Sequence, residues 1–251
     1  MHRFHLPPDQ CRQNVLTLPA REAHHALHVL RLRERERVVV LDGAGAELLC
    51  EVQDANAREV TLQVRQRQAI PPWACQVTLL QAVPKGRTMD LIVQKATELG
   101  AHRLVPILSE RVVTQLDREA GASKAEKWQG VAVEAIKQCG SAWLPKVEVP
   151  LTPQAFLARG ERFELLLIAS LQPEARHPRE GFDAFFAQHG RPPKTVGVWV
   201  GPEGDFTPAE VNLARAGGAL PITLGPRVLR SDTAAVYCLS VINYELQSPR
   251  P

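Results

Sequence analysis

The stretch TVGVWVGPEGDFTPAE, residues 195–210, decides how the chain is read. TVGVWV is a continuous apolar run of strand length, the mark of a strand buried on both faces. GPEGDF interrupts it with two glycines and a proline. Thr207-Pro208-Ala209-Glu210 then has the form of a helix start. Thr207 is placed to be the N-cap, Pro208 the first helical residue, and Glu210 the far side of a capping box. A buried strand that passes through a short loop into a helix is the repeating unit of a parallel α/β sheet. In such sheets ligands bind at loops beyond the carboxyl ends of the strands.

The same grammar extends back to about residue 72. QVTLLQAV, RLVPIL, ELLLIAS and ITL read as strands, and KAEKWQGVAVEAIKQCG reads as a helix. TMDLIVQKATELG places Met89, Ile92 or Val93, Ala96 and Leu99 on one helical face and stops at Gly100, a C-cap residue. Before Pro71-Pro72 the pattern differs. RVVVLDG, AELLCEV and EVTLQVRQ are short β-like segments separated by turn signals at Asp42-Gly43 and Asp54-Ala55-Asn56, with one helix-like stretch, REAHHALHVLRL, ahead of them. The expectation is a small β-barrel domain over 1–71 and an α/β domain with a mostly parallel sheet over 72–251.

Composition narrows the function. With 251 residues, 45% hydrophobic and 23% charged, the chain is an ordinary globular protein. A net charge of +3 permits a nucleic-acid partner without arguing for one. The five cysteines never fall in a C-x-x-C pair, which fits the reducing cytoplasm and gives no zinc pattern. MHRFHLPPDQ lacks the apolar core of a signal peptide, and no run is long enough to span a bilayer, so no membrane partner is expected. His24 and His28 have metal-binding spacing but no third ligand with recognisable spacing, so no metal is expected.

Three loops hold the candidate chemistry. GPEGDF carries Glu203 and Asp205, which argue against phosphate, and neither G-x-G-x-x-G nor a phosphate loop occurs. LGPRVLRSDTA, residues 224–234, sets Arg227 and Arg230 beside Ser231, Asp232 and Thr233, all three of capping type, at the start of the last helix. Positive charge at a helix start does not help the helix, which points to an anionic or polar substrate. AVPKGRTMD and SERVVTQLD place Lys85, Arg87 and Arg111 after strands. RLRERERV reads either as a solvated strand edge or as an RNA-contacting surface.

GPEGDF and LGPRVLRSDTA, preceded in order by HHALHVLRLRERERVVVLDGAG, MDLIVQKATELG and SERVV, resemble the bacterial small-subunit (16S) ribosomal RNA uridine-N3 methyltransferases of the SPOUT superfamily. The resemblance covers nearly the whole chain. It implies a PUA-like β-barrel that helps to bind RNA, followed by an α/β domain with a trefoil knot holding S-adenosylmethionine. It also implies a homodimer acting on small-subunit ribosomal RNA or the assembled small subunit. By resemblance, the cofactor would be held by Leu171, by Val200, Gly201, Pro202, Glu203 and Gly204, and by Leu224, Gly225, Val228, Leu229, Ser231, Thr233 and Ala234. Arg230 and Asp232 would be catalytic, with Ser231, Asp232 and Thr233 capping the last helix. Arg3, His25, Arg31, Lys85, Arg87 and Arg111 would face RNA.

The chain departs from the family pattern at three places. Asp205 stands where a glycine is usual, Asp232 where a glutamate is usual, and KQCGS (137–141) where EQSGR or EQCGR is usual. These leave two alternatives open: a related enzyme acting on a different RNA base, and a non-catalytic RNA-binding protein on the same fold.

Overall fold

The computed structural model describes residues 1–56, 59–111 and 118–247. By its contacts the chain forms two compact units: Met1–Pro72 together with Val133–Leu144, and Trp73–Ala132 together with Pro145–Pro251.

The first unit holds β1 (His2–His5), β2 (Val15–Thr17), α1 (Ala20–His24), β3 (Arg37–Leu41), β4 (Ala46–Ala55) and β5 (Val60–Ala69). The sheet order is β1-β3-β4-β5-β2, with β1 parallel to β3 and the other pairs antiparallel. Among the described residues the hydrogen-bonded ladder has two ends, β1 and β2, and does not close on itself. Alternate residues of β4 and β5, such as Leu48, Cys50, Val52, Val60 and Leu62, turn inward onto Phe4, Leu6 and Leu16. The Asp42-Gly43 turn forms as expected. Asp42 Oδ1 accepts the N–H groups of Ala44 (2.8 Å) and Ala46 (2.7 Å).

RLRERERV does not form a strand edge. Arg31 and Arg35 take left-handed backbone, at φ +54° and +68°, and β3 starts only at Arg37, between two partner strands. α1 runs into a single π-turn, His25–Val29, and the rings of His24 and His28 lie 4.5 Å apart, tilted at 41°.

The second unit follows in order β6 (Gln76–Ala82), α2 (Thr88–Glu98), β7 (Arg103–Ile107), α3 (Arg118–Cys139, of which the part from Val133 belongs to the first unit), β8 (Lys146–Val147), α4 (Pro153–Leu157), β9 (Leu165–Ala169), α5 (Pro178–His189), β10 (Thr195–Val200), α6 (Pro208–Ala216), β11 (Leu220–Ile222) and α7 (Ser231–Gln247). The sheet order is β11-β9-β10-β6-β7-β8, and every pair is parallel. β9 and β10 are covered on both faces, as their unbroken apolar runs require. The chain moves outward from β6 through β7 to β8, then crosses to the other side for β9. This reversal of strand order puts the crevice near the carboxyl ends of β9, β10 and β6.

Helix α2 buries Met89, Ile92, Val93 and Ala96, the expected face, while Leu99 is half-buried just past its end. The last strand was expected at ITL, 222–224, but β11 ends at Ile222. Its span is set by pairing with Leu167–Ala169 of β9, and the Thr223 hydroxyl then accepts the Gly225 N–H to turn the chain. Among the described residues no helix is long and apolar enough to cross a membrane.

Candidate functional site

The carboxyl ends of β9 and β10, the loop after β11 and the first turn of α7 enclose a cavity of about 210 Å³. Each wall follows from local sequence. After β10, Gly201 and Pro202 lead into a turn closed by the Asp205 N–H donating to the Pro202 carbonyl (3.0 Å). The capping box then starts α6: Thr207 Oγ1 accepts the Glu210 N–H (3.3 Å) and Glu210 Oε2 accepts the Thr207 N–H (2.9 Å). The second oxygen of Glu210, a buried residue, accepts the Glu110 N–H (2.8 Å), which ties this loop to the one after β7. After β11, Gly225 at φ +100° turns the chain in a conformation that β-carbon-bearing residues avoid.

Most of the residues named from the sequence meet here. Leu171 comes from the end of β9, and Val200, Gly201, Pro202, Glu203 and Gly204 from the end of β10. Leu224, Gly225, Val228 and Leu229 form the facing wall, and Ser231 and Ala234 close it from α7. Ala169, Ser170, Asp205 and Arg227 also line the cavity.

Thr233 lies outside the lining and is exposed. Helical spacing explains it. Ser231, Ala234 and Ala235 are the buried residues of this turn, so the position between them projects outward. Arg230 and Asp232 also lie outside the lining. Arg230 is exposed, and its carbonyl accepts the Ala234 N–H (2.8 Å), so it opens the helix through its backbone. Its guanidinium has no partner among the described residues.

The expected caps are corrected at Ser231 and at Thr233, whose side chain makes no capping bond among the described residues. Asp232 Oδ1 accepts an N–H of the first turn, that of Thr233 (2.9 Å). Ser231 does not cap. Its hydroxyl donates to the Gly201 carbonyl (2.8 Å) and accepts from Gln81 Nε2 (2.9 Å). Gln81 sits fully buried in β6, and its Nε2 also donates to the Ala82 carbonyl (2.9 Å). Gln81 thus supports a lining residue, and no local signal announces it, since its partner lies 150 positions away.

The basic residues divide. Lys85 and Arg87 are exposed on the loop before α2, and the Lys85 N–H donates to Glu203 Oε1 (3.2 Å). Arg111 donates to the Gly204 carbonyl and packs its stem on that glycine. The remainder of SERVVTQLD, Val112 to Asp117, lies outside the described residues. In the first unit Arg31 is exposed and His25 half-buried. Arg3 donates to the carbonyls of Lys137 (3.4 Å) and Gln138 (3.1 Å), where it satisfies the end of α3. KQCGS is also accounted for locally. Lys137 Nζ pairs with Glu22 Oε1 (3.0 Å) and with Glu134 Oε2 (3.0 Å).

The lining mixes leucine and valine side chains, open backbone, two carboxylates and one arginine, Arg227. Such a wall suits an uncharged heterocycle and sugar carrying a cationic or zwitterionic end.

Known proteins agree with this geometry. A family model described as an RNA methyltransferase domain matches residues 71–243, and one described as an RNA methyltransferase PUA domain matches residues 18–65. A ribosomal RNA small subunit methyltransferase E of Synechocystis is 33% identical, covering 98% of this chain and 78% of its own. Its Bacillus subtilis namesake is 30% identical, covering 93% and 91%. A methyltransferase of Legionella pneumophila solved with its cofactor SAM superposes with a TM-score of 0.85 at 29% identity, covering 96% of each chain. The small subunit methyltransferase E of Neisseria gonorrhoeae, bound to S-adenosyl methionine, gives 0.83 at 26%, again over 96% of each. The chain belongs to the RNA methyltransferase family, alongside the ribosomal RNA small subunit methyltransferases E.

Proposed function

We propose that this chain transfers the methyl group of S-adenosylmethionine to N3 of one uridine in small-subunit ribosomal RNA. The observation that carries the reading is the cavity itself. It lies at the carboxyl ends of parallel strands, between two glycine-bearing loops and the start of α7, in a member of this family. The side chains fit the cofactor. Leu224, Val228 and Leu229 offer an apolar slot for adenine, and the backbone around Gly201 and Gly225 offers hydrogen bonds to the rest.

When bound between these loops, S-adenosylmethionine would supply an activated methyl carbon. The protein orients the acceptor and handles its proton. Uracil N3 must lose its proton, and the anion left is stabilised by a fixed cation. Arg230, exposed between the lining residues Leu229 and Ser231 and with no guanidinium partner among the described residues, is suited to that role. Asp232, half-buried two residues on, or Glu203 on the cavity wall would take the proton. Because N3 is a base-pairing position, the target must be unpaired or turned out of its stack.

In this reading residues 1–71 form the PUA-like RNA-binding domain and 72–251 the catalytic domain, its chain passing through a trefoil knot. His25, Arg31, Lys85 and Arg87 would meet RNA, while Arg3 and Arg111 would first secure backbone carbonyls. Val228, Tyr237 and Tyr244, all exposed and on or beside α7, support a homodimer, and the cytoplasm is the expected compartment.

The test is methyl transfer from labelled cofactor to small subunits, naked small-subunit RNA and large subunits, all from cells lacking the modification. Label on N3 of a single small-subunit uridine is the expected result. Label on another base would keep the cofactor site and replace the substrate. Absence of label together with absence of cofactor binding would overturn the reading.

A further inference from the structure

The cavity wall holds two carboxylates that are not equivalent. Glu203 is exposed, where water screens it, and it already accepts the Lys85 N–H. Asp205 is half-buried and stands at φ +60°, a left-handed conformation that costs a residue with a β-carbon strain. Its Oδ1 accepts the Phe206 N–H (2.8 Å), and the Leu171 N–H on the facing loop also favours its charge. Arg111 acts on it from a distance but is tied to the Gly204 carbonyl, and it makes no ion pair with Asp205 among the described residues. Burial outweighs these supports and, with a contribution from Glu210, pushes the carboxyl above the usual aspartate range. Arg227 lines the same cavity but makes no ion pair with Asp205 among the described residues, so the result is an anion on the cavity wall without a full counter-charge. A cation bound in the cavity would supply one.

We propose that Asp205 selects the positively charged cofactor over its spent form, its carboxylate serving as counter-ion to the sulfonium. This rests on the cofactor reading above. S-adenosylhomocysteine is nearly the same molecule without the methyl group and without the sulfur charge, so the attraction ends when the methyl group has moved. A contact strongest before transfer lowers KM and does not raise kcat. Asp205 is therefore a specificity residue: it favours capture of fresh cofactor and release of product.

The test is calorimetric binding of S-adenosylmethionine and S-adenosylhomocysteine to the full chain, wild type, Asp205→Asn and Asp205→Gly. Asparagine keeps the shape, leaves an acceptor for the Phe206 N–H and tolerates positive φ. Glycine removes the backbone strain, so the pair separates charge from folding. Both variants are expected to weaken S-adenosylmethionine about fivefold. S-adenosylhomocysteine should change by less than about twofold, and KM should rise while kcat holds or rises slightly. Equal weakening of both ligands, or no change in either, overturns the assignment and leaves the cofactor reading standing. A wild-type chain that binds neither ligand overturns both.

Discussion

The Ser231 hydroxyl donates to the Gly201 carbonyl at 2.8 Å, and so fastens the first residue of α7 to the loop that leaves β10. Gln81 completes the link from β6, donating to the same hydroxyl at 2.9 Å. Three segments far apart in sequence thus share one buried hydroxyl on the cavity wall. Ser231→Ala leaves the Gly201 carbonyl and one Gln81 N–H without this partner, at a cost of about 1 to 3 kcal/mol. Urea unfolding should show that loss, and cofactor affinity should fall with it. In the Gln81→Leu, Ser231→Ala double variant the two losses should be clearly less than additive, because they remove the same bond. Full additivity would mean that the chain of bonds does not act as a unit.

Lys137 gives a second prediction, confined to the first unit. Its side chain is only 10% exposed and faces Glu22 and Glu134. Lys137→Glu, which installs the residue that the family resemblance expects, sets three carboxylates together. It should cost about 3 kcal/mol or more. Adding Glu22→Lys should recover much of the loss in a thermal melt. Failure of the second change to rescue the first would show that the pair is not the cause.

Gly45 tests packing in the same unit. It sits at φ +101°, and a β-carbon there would stand 2.4 Å from Cζ2 of the Trp143 ring. That indole is fixed by its Nε1 donating to the Ile70 carbonyl (3.1 Å). Gly45→Ala therefore combines backbone strain with a clash against a rigid ring, for a loss of about 2 kcal/mol or more. A melt unchanged from wild type would show that the ring can move aside.

Asp205 makes stability depend on pH in a defined direction. Its carboxyl is raised by burial, so between the ordinary aspartate value and the raised one the folded state binds more protons than the unfolded state. Stability contributed by this group therefore falls as pH rises through that window. Groups facing it are Arg111 and Glu210, with Glu203 and Arg227 on the same cavity wall. Without ligand, Asp205→Asn should melt higher than wild type at neutral pH. The gap should close as pH falls below the ordinary aspartate range. A gap independent of pH would assign the effect to backbone strain.

What could be read in advance was local. Thr207 and Glu210 are three residues apart, and their capping box needs no other part of the chain. TVGVWV and ELLLIAS declare themselves because burial on both faces demands unbroken apolar runs. Edge elements give no such signal. β1 and β2 are four and three residues long, with one face each toward the core. β11 takes its register from β9 and not from the apolar triplet ITL. Helix α5 is capped by His177, which accepts the Arg179 N–H through Nδ1, and histidine is not among the preferred capping residues. At the site, the glycine loops and the arginines were visible. The Gln81–Ser231–Gly201 chain was not, because only folding brings residue 81 to residue 231. Nor was the strained placement of Asp205, which depends on its loop's backbone.

Arg230 carries the prediction closest to the chemistry. It is exposed, lies outside the cavity lining, and holds the start of α7 through its carbonyl, so removing its side chain should spare both fold and cofactor binding. A cation that stabilises an anionic base acts mainly in the transition state. Arg230→Ala should then lower kcat about a hundredfold, with the KM for cofactor unchanged. Arg230→Lys should recover part of the rate, since a point charge replaces a planar one. Arg227 provides the control. It lines the cavity, so Arg227→Ala should raise the KM for cofactor or RNA and leave kcat within about threefold. Single-turnover methylation with saturating RNA separates the two effects. If Arg227→Ala, and not Arg230→Ala, abolishes the chemical step, the stabilising cation is Arg227 and the roles of the two arginines are exchanged.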